Sequence, residues 1–150
     1  PSDEVFDAFC GIGNFSLAIS RFAKKVTGAE QSASSIARAR DNARLNGVEN
    51  VSFVVEDLQL ETTEINGLEG VNKVLLDPPR SGAEAMVKRL ASSNVVRVVY
   101  VSCNPETLAR DIGILEKQGF ELRSAGIIDM FPHTTHVESI ALLVRQGLPH

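Results

Sequence analysis

Ser102-Cys103-Asn104-Pro105 sets a cysteine where a short apolar run, Val95 to Val101, gives way to helix-forming sequence. Asn104 is a good N-cap and Pro105 suits the first helical position, so Cys103 stands just before a helix N-terminus. The positive end of the helix dipole favours a thiolate, the nucleophilic form of the side chain. A carboxylate, Glu138, follows downstream in Phe131-Pro132-His133-Thr134-Thr135-His136-Val137-Glu138. If Val137 to Val144 is a strand, His136 and Glu138 share one of its faces and can turn toward a cleft. A nucleophile and a base of this kind point to covalent catalysis. The competing reading of Cys103 is an inert cysteine at a strand end, and the cap geometry favours catalysis over it. For Cys10, flanked by glycine and followed by no base, the inert reading is preferred.

A second set of residues has the pattern of a nucleotide-like cofactor site. Asp7-Ala8-Phe9-Cys10-Gly11-Ile12-Gly13-Asn14-Phe15 puts two glycines between a strand and a helix, where the backbone can turn tightly and approach a ligand. Glu30 ends the next strand, where a carboxylate can accept the hydrogen bonds of both ribose hydroxyls. Glu56-Asp57 ends the third, within reach of an adenine amino group. Taken singly, each acid is equally well read as a solvated strand end; three such features in consecutive turns favour a site. The loop lacks the Gly-x-Gly-x-x-Gly pattern of a dinucleotide pyrophosphate site, so a cofactor without phosphates, S-adenosylmethionine, fits better.

The fourth apolar run ends in Asp77-Pro78-Pro79-Arg80. Prolines lack an N–H and hold the preceding residue extended, which makes a rigid lip with carbonyls turned into the cleft. Methyltransferases acting on exocyclic amines carry a similar lip followed by an aromatic residue that stacks on the base. Arg80 holds that position here, which disfavours amine methylation. A simple proline turn is the alternative. His133, His136 and Glu138 match the usual zinc spacings poorly, so no metal site is expected.

These residues need a frame to bring them together. Apolar runs of β type alternate with helical stretches: strands at Val5–Phe9, Lys25–Glu30, Val51–Glu56, Val71–Leu76 and Val95–Val101, and helices at Phe15–Phe22, Ser32–Asn46, Ala83–Ser92 and Pro105–Gln118. Two last strands, Glu121–Ile128 and Val137–Val144, have no helix between them and predict an antiparallel pair. The pattern is that of an α/β fold, a Rossmann-like, mostly parallel seven-stranded sheet with an antiparallel C-terminal strand and helices on both faces. At 150 residues the chain is one domain, able to bury roughly 70% of its unfolded surface. A net charge of −4 and a pI near 5.4 argue against a strong intrinsic grip on nucleic acid, which relies on clustered Lys and Arg. No apolar run is long enough to span a membrane, and no signal-peptide pattern is present. Two cysteines make no disulfide framework, so a reducing cytoplasm is the expected home. The chain opens at Pro1 and reads as an excised domain.

The four segments around Cys10, Asp77, Cys103 and Glu138 together resemble the signatures of the RNA (uracil-5-)-methyltransferase family. The Cys103 segment extends through Glu106-Thr107-Leu108-Ala109-Arg110-Asp111, and the Asp77 segment through Ser81-Gly82. The resemblance spans essentially the whole chain. It implies a class I methyltransferase fold that uses S-adenosylmethionine, with Cys103 as nucleophile and Glu138 as general base. Phe9, Gly11, Asn14, Glu30, Asp57 and Asp77 are the implied cofactor contacts; Asp57 stands where family members often have Asn. Pro78, Arg80 and His133 complete the set as candidate substrate contacts. The implied substrate is a flipped-out uridine in RNA, and the Phe131-Pro132-His133-Thr134 version of the last motif points to ribosomal rather than transfer RNA. Family members also carry an N-terminal RNA-binding barrel and a central segment, in some cases with an iron–sulfur cluster, and neither is in these residues. Two further readings stand beside this one: an exocyclic-amine methyltransferase, and a non-catalytic cofactor-binding domain in which Cys103 and Glu138 are structural.

Overall fold

The computed structural model describes residues 2–61, 65, 67–129 and 137–147. The apolar runs become strands β1 (Glu4–Ala8), β2 (Lys25–Glu30), β3 (Val51–Val55), β4 (Lys73–Leu76), β5 (Arg97–Ser102), β6 (Phe120–Asp129) and β7 (Val137–Arg145). They form one seven-stranded sheet in the order β3-β2-β1-β4-β5-β7-β6. Neighbouring strands among β1 to β5 pair in parallel, while β7 runs antiparallel to β5 on one side and β6 on the other. The expected α/β sheet, antiparallel last strand included, is the observed one.

Helices α1 (Asn14–Ile19), α2 (Ala33–Leu45), α3 (Glu84–Arg89) and α4 (Pro105–Lys117) connect the strands, with a single 3-10 turn at Leu90–Ser92 after α3. The sequence explains α2 well. Ser32 caps it by accepting from Ser35 N–H at 3.3 Å, and Ile36, Ala39 and Ala43 line its buried face. The strands predicted from Val71 and Val95 begin two residues late. Both valines are buried, yet they sit in turns, with Val71 N–H bonded to Leu68 O and Val95 N–H to Ser93 Oγ. They are apolar because they anchor the connections to the core, a role that looks like strand propensity in the sequence.

Alternation along β4 and β5 divides the sheet into two unlike faces. Val74, Leu76, Val98 and Tyr100 point into the main core, under Met86, Val87 and Leu90 and under Leu108 and Leu115 of α4. On the opposite face α2 packs on Phe53 of β3. A Cβ on Gly28, the β2 partner of Phe53, would lie 2.7 Å from that ring, so the approach needs glycine there. Farther along this second face, Leu75, Val99 and Ile140 remain only half-buried. The strand order reverses between β1 and β4, and the crevice outside their carboxyl ends is where open α/β sheets hold ligands.

Candidate active site

That crevice is a cleft of about 280 Å³ lined by Phe9, Glu30, Glu56, Asp57 and Asp77, together with Gln31, Leu58, Gln59 and Pro79. Phe9 has φ 61°, the one non-glycine residue with positive φ among those described. Such strain is found where function fixes the backbone. Gly11 also has positive φ, and a Cβ there would meet nothing within 4 Å, so its surroundings leave room for a ligand. Gly13 differs: a Cβ would lie 2.9 Å from the Phe53 ring, so it is glycine for packing as well as conformation. Glu30 accepts Ser32 N–H with Oε2 at 2.7 Å, and Asp57 accepts Gln59 N–H at 3.0 Å, which steadies both carboxylates.

Four of the residues expected to hold a cofactor, Phe9, Glu30, Asp57 and Asp77, thus converge on one cleft. Gly11 and Asn14 lie in the adjoining loop and at the exposed start of α1, outside the cleft lining. Of the two lip prolines, Pro79 lines the cleft and Pro78 is buried. Gln59 was not anticipated: its Nε2 donates to Gly82 O at 2.9 Å and ties the loop after β3 to the lip. A lone glutamine in a loop carries no periodic or capping signal that would single it out. His133 lies outside the described residues.

Asp7, on β1, is fully buried, with Oδ2 accepting from Ser16 Oγ at 2.5 Å and Oδ1 without a partner among the described residues. Burial, with the Asp77 charge adding to it, pushes its pKa up to about 6 against the Ser16 hydrogen bond. The folded protein therefore holds this proton more tightly than the unfolded chain, and stability falls as pH rises from about 4 to 6. Asp7→Asn is expected to raise stability at pH 7 by about 2–3 kcal/mol, with the gain vanishing near pH 4. Urea melts of both proteins across that range measure the difference. At Cys10, burial, then the Asp7 and Glu30 charges, push the thiol up to about 12.

Cys103 follows the last residue of β5 and is partly exposed. Asn104 caps α4 by accepting Glu106 N–H at 3.1 Å, with Pro105 in the first turn, as the sequence implied. In the β5–β7 register Ser102 faces Ser139, so Cys103, just past β5, and Glu138, on β7, stand opposite each other one step beyond the last pair. Glu138 in turn acts on Asp77, whose carboxyl is held above its ordinary range by burial first and the Glu138 charge second. The register therefore brings Cys103 and Glu138 to one end of the sheet; neither is among the residues lining the acidic cleft, and Glu138 is linked to it through its charge on Asp77. A thiol at a helix amino end beside a carboxylate can add to an electrophilic carbon and see a proton removed from its neighbour.

The lip is bound tightly to the cysteine loop. Arg80 O accepts from Asn104 Nδ2 at 2.9 Å and from Thr107 Oγ1 at 3.0 Å, and Arg110 donates to Ser81 O at 2.9 Å. Beneath them the buried Asp111 accepts from Ala83 N–H at 2.8 Å and Tyr100 O–H at 2.5 Å. Gly82 fits this seam with φ 81°, and a Cβ would lie 2.8 Å from Asp111 Oδ2. Gly82→Ala is expected to cost about 2–4 kcal/mol, from strain and displacement of a buried network, as read by denaturant unfolding.

The family model for tRNA (Uracil-5-)-methyltransferase matches residues 2–146. The chain belongs to this family. Among similar relatives is the 23S rRNA (uracil(1939)-C(5))-methyltransferase RlmD of Xanthomonas oryzae pv. oryzae, 49% identical over 148 residues, covering 97% of this chain and 33% of that protein. RlmD of Hahella chejuensis is 51% identical over 145 residues, 93% of this chain and 32% of that protein. The family member thus spans about a third of the length of the curated relatives it matches. Among solved structures, the Pyrococcus abyssi tRNA (uracil-54, C5)-methyltransferase in complex with S-adenosyl-L-homocysteine superposes with a TM-score of 0.82 at 34% identity, over 96% of this chain and 35% of that one. The magnesium protoporphyrin IX methyltransferase of Synechocystis PCC 6803, at 21% identity and a TM-score of 0.73, shares the fold.

Proposed function

We propose that this chain is the catalytic domain of an S-adenosylmethionine-dependent methyltransferase acting on carbon 5 of a uridine in RNA, most closely a 23S ribosomal RNA uridine. The observation that carries the reading is the register that sets Cys103 and Glu138 opposite each other one step beyond the Ser102–Ser139 pair, with the Glu138 charge acting on Asp77 of the acidic cleft. Membership of the family supports it, as does the 49% identity to a ribosomal-RNA relative against 34% to the transfer-RNA one. A transfer-RNA uridine is the second reading, and it rests on the structural match to the Pyrococcus enzyme.

The cleft suits the cofactor. Its lining has four carboxylates, Glu30, Glu56, Asp57 and Asp77, and no Lys or Arg. That balance favours a cation and repels phosphates, which fits a sulfonium and an amino group and not a pyrophosphate. In this reading Glu30 would take the ribose hydroxyls, Asp57 the adenine amino group and Asp77 the cationic end. When bound, S-adenosylmethionine supplies an electrophilic methyl group.

Carbon 5 of uracil is too weak a nucleophile to take that methyl unaided. The Cys103 thiolate adds to carbon 6, forming a C–S bond and moving the electron pair of the carbon 5–carbon 6 double bond into an enolate. Carbon 5 so activated would take the methyl group that the bound cofactor supplies, with S-adenosylhomocysteine as the leaving group. Glu138 removes the carbon 5 proton, the double bond re-forms and the C–S bond to Cys103 breaks. Arg80, exposed on the lip and bonded to Cys103 O at 3.4 Å, is placed to meet the RNA beside the target base. An exocyclic-amine reaction leaves Cys103 without a task.

The test is methyl transfer from labelled cofactor by the full-length gene product to ribosomal and transfer RNA from cells lacking the gene. Label in 5-methyluridine of 23S rRNA is the expected result; label in an exocyclic amine, or in neither RNA, overturns the proposal. A ribosomal substrate places the enzyme in the cytoplasm, and no described helix is long and apolar enough to cross a membrane. The 150-residue chain alone, with its net charge of −4, is expected to bind S-adenosylmethionine and to hold RNA poorly. Calorimetry for the cofactor and an RNA titration at physiological salt measure both; tight RNA binding contradicts the expectation.

A further inference from the structure

Leu108, Asp111 and Leu115 form the buried face of α4, so an acid holds a place where the spacing calls for an apolar residue. Asp111 has no exposed surface and acts on the site only through other groups. Its donors come from three elements. Ala83 N–H, at the end of the lip, and Tyr100 O–H, on β5, bond Oδ2 at 2.8 and 2.5 Å, and Arg110 Nε on α4 bonds Oδ1 at 3.1 Å. Burial, then the Asp111 hydrogen bond, raises the Tyr100 pKa, so the phenol keeps its proton and stays the donor. A buried, partnered carboxylate seldom adds more stability than apolar side chains of the same volume. What it supplies is direction, because each bond fixes a partner at a set distance and angle.

The partner that matters most is the Gly82–Ala83 peptide. Its C=O, from Gly82, accepts from Gln59 Nε2 at 2.9 Å, and its N–H, from Ala83, donates to Asp111. Gln59 lines the acidic cleft, and Asp111 lies on the helix that begins just after Cys103. One planar group thus ties the cofactor side of the site to the nucleophile side. Tyr100 grips the strand leading to Cys103, and Asp111 the helix that follows it. We propose that Asp111 is a positioning residue for methyl transfer, which with Tyr100 holds the lip, residues 77–82, in register with Cys103 so that the donor methyl and the activated carbon 5 align. The inference rests on the uridine methyl-transfer reading and deepens it.

A role confined to joining α3 and α4 does not need the second bond of that peptide, to a residue of the cleft lining. The clamp also bears on one chemical step more than the other. Cys103 and Glu138 stand past β5 and on β7, off the lip, so addition to carbon 6 and proton exchange at carbon 5 do not depend on it. Methyl transfer does, because it needs the cofactor, held in part by Asp77 of the lip, and the cysteine adduct in a single geometry. A misplacement of about 1 Å in such an alignment costs on the order of 10²-fold in rate.

The test uses the full-length gene product as parent, Asp111→Asn and Tyr100→Phe, with cofactor and RNA carrying tritium at carbon 5 of uridine. Methyl transfer releases one triton for each methyl gained. An adduct that is not methylated releases it differently: carbon 5 takes a solvent proton, Glu138 removes the triton, the double bond re-forms and the bond to Cys103 breaks. The ratio of tritium released to methyl transferred therefore reads alignment. Asp111→Asn sets an amide N–H against another donor, and its kcat for methylation is expected to fall about 10²-fold, with KM for cofactor and RNA within about threefold of the parent. The tritium-to-methyl ratio is expected to rise at least about tenfold in the same variant. Tyr100→Phe removes one hydroxyl and keeps the ring; it is expected to show the same pattern with a loss of about tenfold, and it carries the test should Asp111→Asn not fold. An unchanged ratio, a rise in KM alone, or parental kcat in both variants overturns the proposal. A parent protein that transfers no methyl to carbon 5 overturns the methyl-transfer reading itself.

Discussion

Cys103→Ala is expected to abolish methylation, with a loss on the order of 10⁶-fold, comparable to removal of a catalytic nucleophile from other covalent enzymes. The reason is chemical. Without the thiolate, carbon 6 of the target uracil gains no electron pair to pass to carbon 5, and neither the cleft nor Glu138 can replace it. The side chain is partly exposed and caps nothing, since Asn104 supplies the α4 cap, so the variant is expected to fold and bind cofactor as the parent does. The decisive measurement uses RNA containing 5-fluorouridine. Fluorine at carbon 5 cannot be abstracted, so the full-length gene product with cofactor should form an adduct that survives denaturing electrophoresis. Cys103→Ala should form none. Unchanged RNA binding with no adduct from the parent protein rules out the covalent route.

Glu138→Gln has the second largest expected effect, and in the opposite sense for the adduct. Removing a general base costs typically 10²–10⁴-fold in turnover. In the proposed route addition and methyl transfer precede the base's step, so the variant should stop with methylated RNA still joined to Cys103. Ordinary RNA, without fluorine, should then give a denaturation-resistant complex that the parent releases. Intact-mass measurement distinguishes this species from the unmethylated adduct by the added methyl. A variant that turns over at the parental rate shows that another group takes the proton. The same substitution removes a negative charge beside Asp77, so the Asp77 carboxyl should move down toward its ordinary range, leaving burial as the main influence on it.

Much of the fold was legible because its signals are local. The α2 face of Ile36, Ala39 and Ala43, the Ser32 cap and the Gly47 stop lie within a few residues of one another, and the helix forms as those residues dictate. The Asn104-Pro105 start of α4 is equally local. Val71 and Val95 show where such reading fails: the side chains serve the core while the backbone turns, and only the tertiary arrangement separates those two demands. In the site, the carboxylates of Glu30, Asp57 and Asp77 were visible because parallel strands deliver their ends to one edge. Gln59 and Asp111 were not, because each acts across the chain, on Gly82 and on Ala83 and Tyr100.

Residue types and short-range spacing were enough to name the thiol, the acids, the glycine turn and the alternation of strand and helix, since these follow from covalent geometry and local propensity. What only the tertiary structure decided is which strand ends become neighbours. Cys103 and Glu138 come opposite each other in register because β7 enters the sheet antiparallel between β5 and β6, a choice made by pairing and burial over long separations. Tertiary packing likewise sets the lip against α4, turns Pro79 and not Pro78 to the cleft, and leaves one sheet face with an apolar groove.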